Sequence, residues 1–535
     1  MRTPFRAGIT ALAVTSGALF GIAAAAHAAD PTILYVQATS ASCSDGGPGT
    51  ATQPFCTIGA AAAIVTAGQT VEIGTGTYRE RVTVPRSGTS EQPITFRMAP
   101  AGGRELAGPT AGFVIDGQHD IRLERLQVTR SGDVPALDIR DSSAITIQGG
   151  SFWLDETATA PAIRLVGVTA SRLNAPFING WPGGGGLSMD VATTGVVANT
   201  VTARAPGLTR AVDGSFGIEV AGPGNTIINS IVQGYGGAGI MIGPDAAGTV
   251  VANNWVYMGA GYGIHNHGAA GTAITNNLVR SRCLDGIRVD GASSTVSVQN
   301  NVLVANGHLG QTYCQGGPTD GVELGIYDDA IGDTVADYND AYHSQANSPS
   351  VYSWNGTPMG LAAFRTASGQ AANDKEAGLS KDHQDSANSE APGYQATDRS
   401  GKARADDPSV PNTGAGPVTY ADRGPIETVR APTALTIVTA NITTSTVTVD
   451  ASTSQPGWLP ITSYTFSFGD GKTITQTSPL ITHRYKRPGK YTVLTTVTAD
   501  DGLYSSRTDL INLLPWTSKR PTLGRPLKAS AYREP

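Results

Sequence analysis

Basic residues are too few in this chain to form a concentrated positive surface. Its 535 residues include 37 lysines and arginines against 43 aspartates and glutamates, for a formal net charge of −6. Nucleic acids and anionic membranes are bound by strongly basic faces, so we expect neither as a partner. Aromatic residues are also scarce, at 6%, whereas 66 glycines supply the turns that a chain of short β-strands requires.

Cysteine is nearly absent, and its four copies form two pairs that are close in sequence. Neither pair has the C-x-x-C spacing that tetrahedral zinc sites favour, so no metal site is predicted there. An even number of cysteines in an oxidising compartment indicates disulfides. We predict the bridges Cys43–Cys56 and Cys283–Cys314.

A long uncharged run lies at the N-terminus. Arg2 and Arg6 precede the alanine-rich stretch 7–26, and Ala26-His27-Ala28 has the small-residue pattern of a cleavage site. Threonine and glycine interrupt the run and no cluster of charges follows it, which favours a cleaved signal over a membrane anchor. We predict a signal peptide at 1–28 and a secreted, extracellular protein.

A repeat of about two dozen residues extends from about 113 to 345. A glycine before an Ile/Val-x-apolar strand recurs at intervals of 22, 24, 23 and 35 residues, at Gly217, Gly239, Gly263, Gly286 and Gly321. A second ladder, offset from the first, consists of Asn199, Asn229, Asn253, Asn276 and Asn300. One unit cannot bury its own aliphatic residues, so we predict stacked coils of three short strands, with left-handed, hydrogen-bonded asparagines at one turn.

The region 29–345 is predicted to be a right-handed parallel β-helix with an N-terminal capping helix. In that helix Ile58, Ala62 and Val65 recur at helical spacing, Thr57 is the N-cap, and Gly68 ends the helix. The order of this helix, a "GTY" turn at 76–78 and a "PITFR" strand at 93–97 resembles the opening of secreted pectate-lyase-like β-helix proteins. The resemblance implies the all-β fold and is silent on the substrate.

The last third of the chain departs from the repeat. Within 346–430, Asp398-Arg-Ser-Gly-Lys-Ala-Arg404 and Asp422-Arg-Gly-Pro-Ile-Glu427 resemble the ending of secreted β-helix proteins, which implies a C-terminal cap or linker folded back along the helix. The region 431–515, with Phe466-Ser-Phe-Gly-Asp-Gly471 and Pro488-Gly-Lys-Tyr-Thr-Val493, resembles a PKD domain. That resemblance implies an immunoglobulin-like β-sandwich that is a spacer or a weak binder of polysaccharide or protein. We expect 516–535 to be a disordered tail.

Strand alternation assigns one outer face of the β-helix. In each Gly-Ile-x-Val unit the middle residue points to solvent. This predicts an outer column of Glu219, Met241, His265, Arg288 and Glu323, and a parallel column that contains His267 and Asp290. Tyr262 precedes its strand and offers a ring for stacking on a sugar. A solvated sheet also carries mixed charges, so an ordinary surface is the competing interpretation.

The resemblance implies action on a long glycan, which we interpret as β-elimination on an acidic polysaccharide. His265 is the predicted catalytic base, Asp290 orients it, and Arg288 neutralises a substrate carboxylate. The predicted substrate-binding residues are Glu219, Tyr262, His267 and Glu323. No lysine precedes Lys375, which excludes from the β-helix the lysine base that many lyases of this fold use.

Two other functions stay open at this point. One is a glycoside hydrolase of polygalacturonase-like fold, although the Asn-Thr-Asp, Asp-Asp and Gly-His-Gly set of that family is not found in successive coils. The other is a non-catalytic glycan-binding or adhesion scaffold. The sequence identifies no cofactor, and calcium held by Asp285, Asp290, Asp320 and Glu323 is an alternative. We expect a monomer whose partner is an extracellular polysaccharide.

Overall fold

The computed structural model describes residues 32–100, 104–108, 111–130, 132–180, 183–205, 214–307, 312–314, 321–343, 350–376, 383–428, 430–500 and 502–514. The predicted signal peptide and the tail 516–535 lie outside the described residues, as does Asp320. Within the described ranges, no helix is both long and apolar enough to cross a bilayer.

Short β-strands make up almost all of the regular structure of the first two thirds of the chain. The first eighteen are β1 (Ile33–Val36), β2 (Thr70–Ile73), β3 (Gly76–Tyr78), β4 (Arg81–Val84), β5 (Ile94–Met98), β6 (Arg104–Ala107), β7 (Gly112–Asp116), β8 (His119–Glu124), β9 (Gln127–Arg130), β10 (Leu137–Arg140), β11 (Ser143–Gln148), β12 (Ser151–Leu154), β13 (Ile163–Val166), β14 (Arg172–Asn174), β15 (Phe177–Asn179), β16 (Leu187–Met189), β17 (Val197–Asn199) and β18 (Thr202–Arg204).

The next seventeen strands continue the same pattern. They are β19 (Phe216–Val220), β20 (Thr226–Ile228), β21 (Ile231–Gln233), β22 (Ala238–Ile242), β23 (Val250–Ala252), β24 (Trp255–Gly259), β25 (Tyr262–His267), β26 (Ala273–Thr275), β27 (Leu278–Arg282), β28 (Ile287–Asp290), β29 (Ser297–Gln299), β30 (Val302–Val304), β31 (Leu324–Ile326), β32 (Val335–Asp337), β33 (Asp340–Tyr342), β34 (Tyr352–Trp354) and β35 (Thr357–Met359). Two α-helices, α1 (Ile58–Ile64) and α2 (Leu361–Ser368), and two 3-10 turns, Thr312–Cys314 and Asp328–Gly332, complete this region.

These strands form three long sheets. Sheet 1 has the order β1-β2-β5-β8-β11-β14-β17-β20-β23-β26-β29-β32, sheet 2 the order β3-β6-β9-β12-β15-β18-β21-β24-β27-β30-β33, and sheet 3 the order β4-β7-β10-β13-β16-β19-β22-β25-β28-β31-β34-β35. Each coil gives one strand to each sheet, and all pairings but that of β34 with β35 are parallel. The predicted β-helix is confirmed. Its core includes a buried aliphatic column in register, namely Leu187, Ile218, Ile240, Ile264, Ile287 and Leu324.

One predicted register is wrong. β28 pairs with β31 so that Arg288 lies beside Gly325, not beside Glu323. Glu323 precedes β31 and is fully buried, and its carboxylate accepts hydrogen bonds from the backbone N–H and the Nδ2 of Asn306. Strand alternation does not extend to a residue at the corner before the strand, so Glu323 belongs to the interior and not to the outer column.

Asparagines stack at the turn between sheets 1 and 2. The four with left-handed backbone, at φ from 55° to 58°, are Asn229, Asn253, Asn276 and Asn300. Asn229 Nδ2 donates to Asn199 Oδ1 at 2.9 Å, although Thr200 takes the left-handed position in that coil. The residues after this turn position form a second, buried ladder that the sequence did not reveal. In it each Nδ2 donates at 3.0 Å to the next Oδ1, through Asn254, Asn277, Asn301 and Asn339.

The N-terminal cap and the disulfides agree with the sequence. Thr57 caps α1 through a hydrogen bond from the Ala60 N–H to its side chain. The helix ends at Ile64 and not at Gly68, because Val65 already has extended backbone with ψ of 139°. The bridges Cys43–Cys56 and Cys283–Cys314 are both present, which confirms the predicted pairing.

The segment 383–428 lies against the asparagine turn of the β-helix. Asn253 Nδ2 donates to the carbonyl of Thr397, and Asn276 Nδ2 donates to that of Asp422. These side chains therefore satisfy backbone groups of the segment as well as each other.

The C-terminal region is an antiparallel β-sandwich, as predicted. Its strands are β36 (Ile437–Asn441), β37 (Thr446–Asp450), β38 (Ile461–Ser467), β39 (Thr473–Gln476), β40 (Leu480–Arg484), β41 (Lys490–Ala499) and β42 (Tyr504–Asn512). One sheet has the order β36-β37-β40 and the other β39-β38-β41-β42. The core between them includes Val447, Phe466, Phe468, Tyr485 and Val493.

Candidate functional site

Sheet 3 places most of the predicted site residues on neighbouring strands. Equivalent outward positions of β19, β22, β25 and β28 hold Glu219, Met241, His265 and Arg288. One column further along, His267 of β25 lies beside Asp290 of β28. Adjacent strands are about 4.8 Å apart, so side chains on β25 and β28 are within contact distance.

Asp290 is the centre of a cluster of four side chains. Its Oδ1 lies 2.9 Å from Nε2 of His265 and 2.7 Å from Nδ1 of His267. Its Oδ2 accepts a hydrogen bond from Nε of Arg288. Burial disfavours the charged carboxylate, but the hydrogen bonds from His265, Arg288 and His267 outweigh burial and hold the pKa of Asp290 below its usual range. Asp290 is therefore a carboxylate at neutral pH.

The two imidazoles meet Asp290 through different nitrogens. A carboxylate oxygen only accepts hydrogen bonds, so the pairing assigns the neutral tautomers: the proton is on Nε2 of His265 and on Nδ1 of His267. The proton-accepting atoms are then Nδ1 of His265 and Nε2 of His267. The His265 side chain is 13% exposed and that of His267 is 53% exposed. His267 is thus the more accessible imidazole on this face.

Arg288 is held between two tyrosine rings and two carboxylates. Its Cζ lies 3.9 Å from the ring centroid of Tyr327 and 5.3 Å from that of Tyr262. Its Nη1 lies 3.3 Å from Oδ2 of Asp285. Burial opposes the charge of Arg288, but the hydrogen bond to Asp290 and the nearby negative charges raise the pKa of Arg288 above its usual value. The guanidinium is fixed in place and remains charged.

Asp285 and Tyr327 also belong to the site, and the sequence did not predict them as partners of Arg288. The Asp285 side chain is 3% exposed and accepts hydrogen bonds from the Val322 N–H and the Tyr327 hydroxyl, both at 2.9 Å. Burial nevertheless raises the pKa of Asp285. Burial and the charge of Asp285 raise the pKa of Tyr327 above its usual value. Tyr327 follows β31 at the position that corresponds to Asp290. The sequence would have indicated Tyr327 if the register of β31 had been predicted correctly.

A pocket of about 530 Å³ opens beside Arg288. Its lining includes Tyr262, Leu284, Asp285, Arg288, Tyr327 and Ser353. Glu219 is not brought to this cluster, because Met241 stands between it and His265 in the column, and its carboxylate accepts a hydrogen bond from Ser188 Oγ at 2.8 Å. Of the predicted substrate-binding residues, Tyr262 and His267 lie at the cluster, and Glu219 and Glu323 do not.

Ligand atoms for a metal are also present in the cluster. Suitable atoms of His265, His267 and Asp290 lie within 4.8 Å of one another. Both imidazoles use those nitrogens to contact the same oxygen, however, and Arg288 occupies the other oxygen, so a metal would displace these hydrogen bonds. Of the four residues in the calcium alternative, Asp285 and Asp290 bind Arg288, Glu323 binds Asn306, and Asp320 lies outside the described residues, so that alternative stays a prediction.

Two family models match the chain. Residues 178–324 match a right-handed beta helix region, and residues 429–513 match a PKD domain. The chain is a right-handed β-helix protein with a C-terminal PKD domain. The predicted right-handed β-helix and the predicted PKD domain are confirmed.

Known proteins resemble parts of this β-helix protein. The uncharacterized protein YwoF of Bacillus subtilis (strain 168) is 34% identical over 110 residues, which are 21% of this chain and 22% of YwoF. The chain therefore spans about a fifth of that curated relative's length. The structure of pectate lyase Pel9A is 17% identical, with 74% of this chain and 96% of that chain covered and a TM-score of 0.37. A rhamnogalacturonan lyase is 15% identical over 65% of this chain and 87% of its own, with a TM-score of 0.39. The PKD1 domain of the Vibrio cholerae metalloprotease PrtV is 30% identical over 15% of this chain and 95% of its own, with a TM-score of 0.14.

Proposed function

We propose that this β-helix protein is a secreted polysaccharide lyase that cleaves an acidic glycan by β-elimination at the cluster around Asp290. The supporting observation is that two imidazoles and one guanidinium converge on a single buried carboxylate, and that the guanidinium also lines an open pocket. General acid–base chemistry needs its groups within hydrogen-bond reach of each other and of the substrate. An ordinary solvated surface needs no such convergence.

His267 is the proposed base. In β-elimination a base removes the proton from C5 of a uronate, the C4–O bond breaks, and a C4=C5 double bond forms while the leaving oxygen takes a proton from water. Nε2 of His267 accepts the C5 proton, and Asp290 stabilises the resulting imidazolium through Nδ1–H. His265, which is less exposed, holds Asp290 in place. This reverses the roles that the sequence suggested for the two histidines.

Arg288 is the proposed partner of the substrate carboxylate. A guanidinium has five N–H groups, and Arg288 uses one on Asp290 and one on Asp285. The remaining three donate to no residue within the described ranges, and the guanidinium lines the pocket beside Tyr262 and Tyr327. The two rings fix its plane, so these donors are already oriented when a uronate enters.

Hydrolysis by paired carboxylates is the second candidate. Asp285 and Asp290 favour it in one respect, because burial raises the pKa of Asp285 while hydrogen bonds lower that of Asp290, and such divergent pairs mark acid and base roles. Both oxygens of Asp285 accept hydrogen bonds, however, and its side chain is 3% exposed. A glycosidic oxygen would have to displace these contacts, so elimination fits the site better.

The test identifies the product as well as the activity. The purified chain is incubated with a panel of uronate polymers, with and without calcium, and ultraviolet absorbance of the unsaturated uronate is followed beside an assay for new reducing ends. Elimination predicts that both signals rise together. Reducing ends without absorbance would indicate hydrolysis. Neither signal, together with retention of the protein on an immobilised glycan, would indicate a binding scaffold.

A further inference from the structure

A cluster of buried carboxylates lies in the segment that docks on the asparagine turn. Asp385 and Asp422 are fully buried and Glu427 is 2% exposed. One carboxylate oxygen of each residue lies within 4.8 Å of the others. The cluster belongs to the segment 383–428 and is separate from the site on sheet 3.

The charges of this cluster are not balanced by its protein partners. Glu427 pairs with Arg404 through an Oε2–Nη1 contact of 2.9 Å. The two oxygens of Asp422 accept backbone N–H groups, from Asp385 at 2.8 Å and from Thr428 at 2.7 Å. Backbone amides carry no net charge, so three carboxylates and one guanidinium leave two negative charges in a buried site. Uncompensated buried charge is costly, which indicates that a further cation is bound.

Asp385 gives an independent indication of a ligand. Its Oδ1 is buried and has no hydrogen-bond partner within the described part of the chain. Its Oδ2 accepts one long contact of 3.3 Å from the Asp407 N–H. Buried carboxylate oxygens are almost always paired.

We propose that Asp385, Asp422 and Glu427 bind one calcium ion. Calcium takes six to eight oxygen ligands at about 2.3–2.6 Å in a flexible shell, and three carboxylate oxygens that all lie within 4.8 Å of one another can share such a shell. Magnesium requires a near-ideal octahedron and usually keeps several waters, and zinc prefers nitrogen or sulfur ligands, so a buried set of carboxylates suits calcium better. With Arg404, one divalent ion neutralises all three carboxylates.

The ion would fasten the C-terminal segment to the β-helix. Arg404 donates to Asn253 Oδ1 at 3.2 Å, and the Asp422 carbonyl accepts from Asn276 at 3.1 Å, so two members of the site contact the asparagine turn directly. Calcium at this position therefore stabilises the docked segment and takes no part in the chemistry on sheet 3.

The test measures calcium binding and thermal stability of the full chain after treatment with a chelator. Calcium chloride alone is titrated into the wild type, Asp385→Asn and the control Asp374→Asn, in which another fully buried acid, bonded to Tyr352 and Asn339, is changed outside the cluster. We expect millimolar calcium to raise the wild-type Tm by about 5 °C or more. Asp374→Asn should keep this shift and Asp385→Asn should lose it. Without calcium, Asp385→Asn should match or exceed the chelated wild type, because one repelling charge is gone.

Two results would overturn the proposal. One is a wild type that, after dialysis against calcium, contains no bound metal and shows no shift in Tm. The other is a calcium response that persists unchanged in Asp385→Asn, which would place the ion elsewhere. If Asp385→Asn is not recovered folded, Glu427→Gln takes its place and should likewise lose the calcium-dependent rise in Tm. The dialysed wild type should still contain bound calcium.

Discussion

Removing the Arg288 guanidinium should destabilise the β-helix by breaking a buried ion pair. In Arg288→Ala, Asp285 loses its cationic partner, and Asp285 has a side chain that is only 3% exposed. Breaking a buried pair by deleting one partner costs about 3–5 kcal/mol. The Arg288 side chain is itself 23% exposed, and water can partly replace it, so we expect the lower end, about 3 kcal/mol in the free energy of unfolding.

The loss of stability in Arg288→Ala should depend on the presence of Asp285 and on pH. The double variant Arg288→Ala/Asp285→Asn should recover about 2 kcal/mol, because no buried charge is then left unpaired. Without the guanidinium the folded-state pKa of Asp285 rises further above the unfolded value of about 3.9. An acid with a raised pKa destabilises the protein above its unfolded pKa, so the cost in Arg288→Ala should be greatest near pH 7 and should shrink toward pH 4.

The assay is denaturant-induced unfolding of the wild type, Arg288→Ala, Asp285→Asn, the double variant and one control, at neutral and at mildly acid pH. Arg288→Lys is the matched control, since it keeps the charge and loses the planar stacking on Tyr262 and Tyr327. The reasoning is refuted if Arg288→Ala and the double variant are equally destabilised, or if the loss is the same at both pH values.

Three further predictions concern buried polar groups. Asn277→Ala removes Oδ1, which accepts at 3.0 Å from both the N–H and the Nδ2 of Asn254, and Nδ2 then keeps only its bond to the Ile227 carbonyl. This variant should lower the free energy of unfolding by roughly 2–6 kcal/mol in a denaturant titration. Glu323→Gln replaces one of two oxygens that each accept from Asn306 by an amide donor, so it should lower the free energy of unfolding by about 1–3 kcal/mol. It should leave lyase activity unchanged, and lost activity in the folded variant would return Glu323 to the outer face. Burial raises the pKa of Asp374 to about 7, above its unfolded value of about 3.9. Ionisation of Asp374 should therefore lower the free energy of unfolding by up to about 4 kcal/mol as pH rises from 4 to 7. In Asp374→Asn, denaturant unfolding curves at pH 4 and pH 7 should no longer show this loss of stability with rising pH.

The outer columns of the site could be predicted because they follow from local periodicity. Each Gly-Ile-x-Val unit fixes two inward residues, so the position of Arg288 beside His265 and of Asp290 beside His267 follows from the repeat spacing alone. The disulfides followed from an even cysteine count in two close pairs, and no other residue had to be located to find them.

The site was incomplete where the repeat is interrupted. Between β28 and β31 the chain contains an insertion, and Gly321-Val-Glu-Leu has the leading glycine of the repeat, whereas the strand that pairs with β28 is Leu-Gly-Ile after Glu323. Aligning Gly321 with the glycines of the other coils placed Glu323 on the outer face and left Tyr327 outside the predicted column. The relative exposure of the two histidines depends on residues from other coils, and so does the burial of Asp285. No pattern within one repeat reports these properties.

The rate of unsaturated-product formation by His267→Ala tests the central claim most directly. The control is His119→Ala, because His119 has a side chain that is also 53% exposed and also pairs with an aspartate, Asp120, but lies on sheet 1. On a uronate polymer that the wild type cleaves, we predict that His267→Ala loses about 10²–10⁴-fold in kcat while His119→Ala keeps the wild-type rate. A wild-type rate in folded His267→Ala would contradict elimination by this cluster.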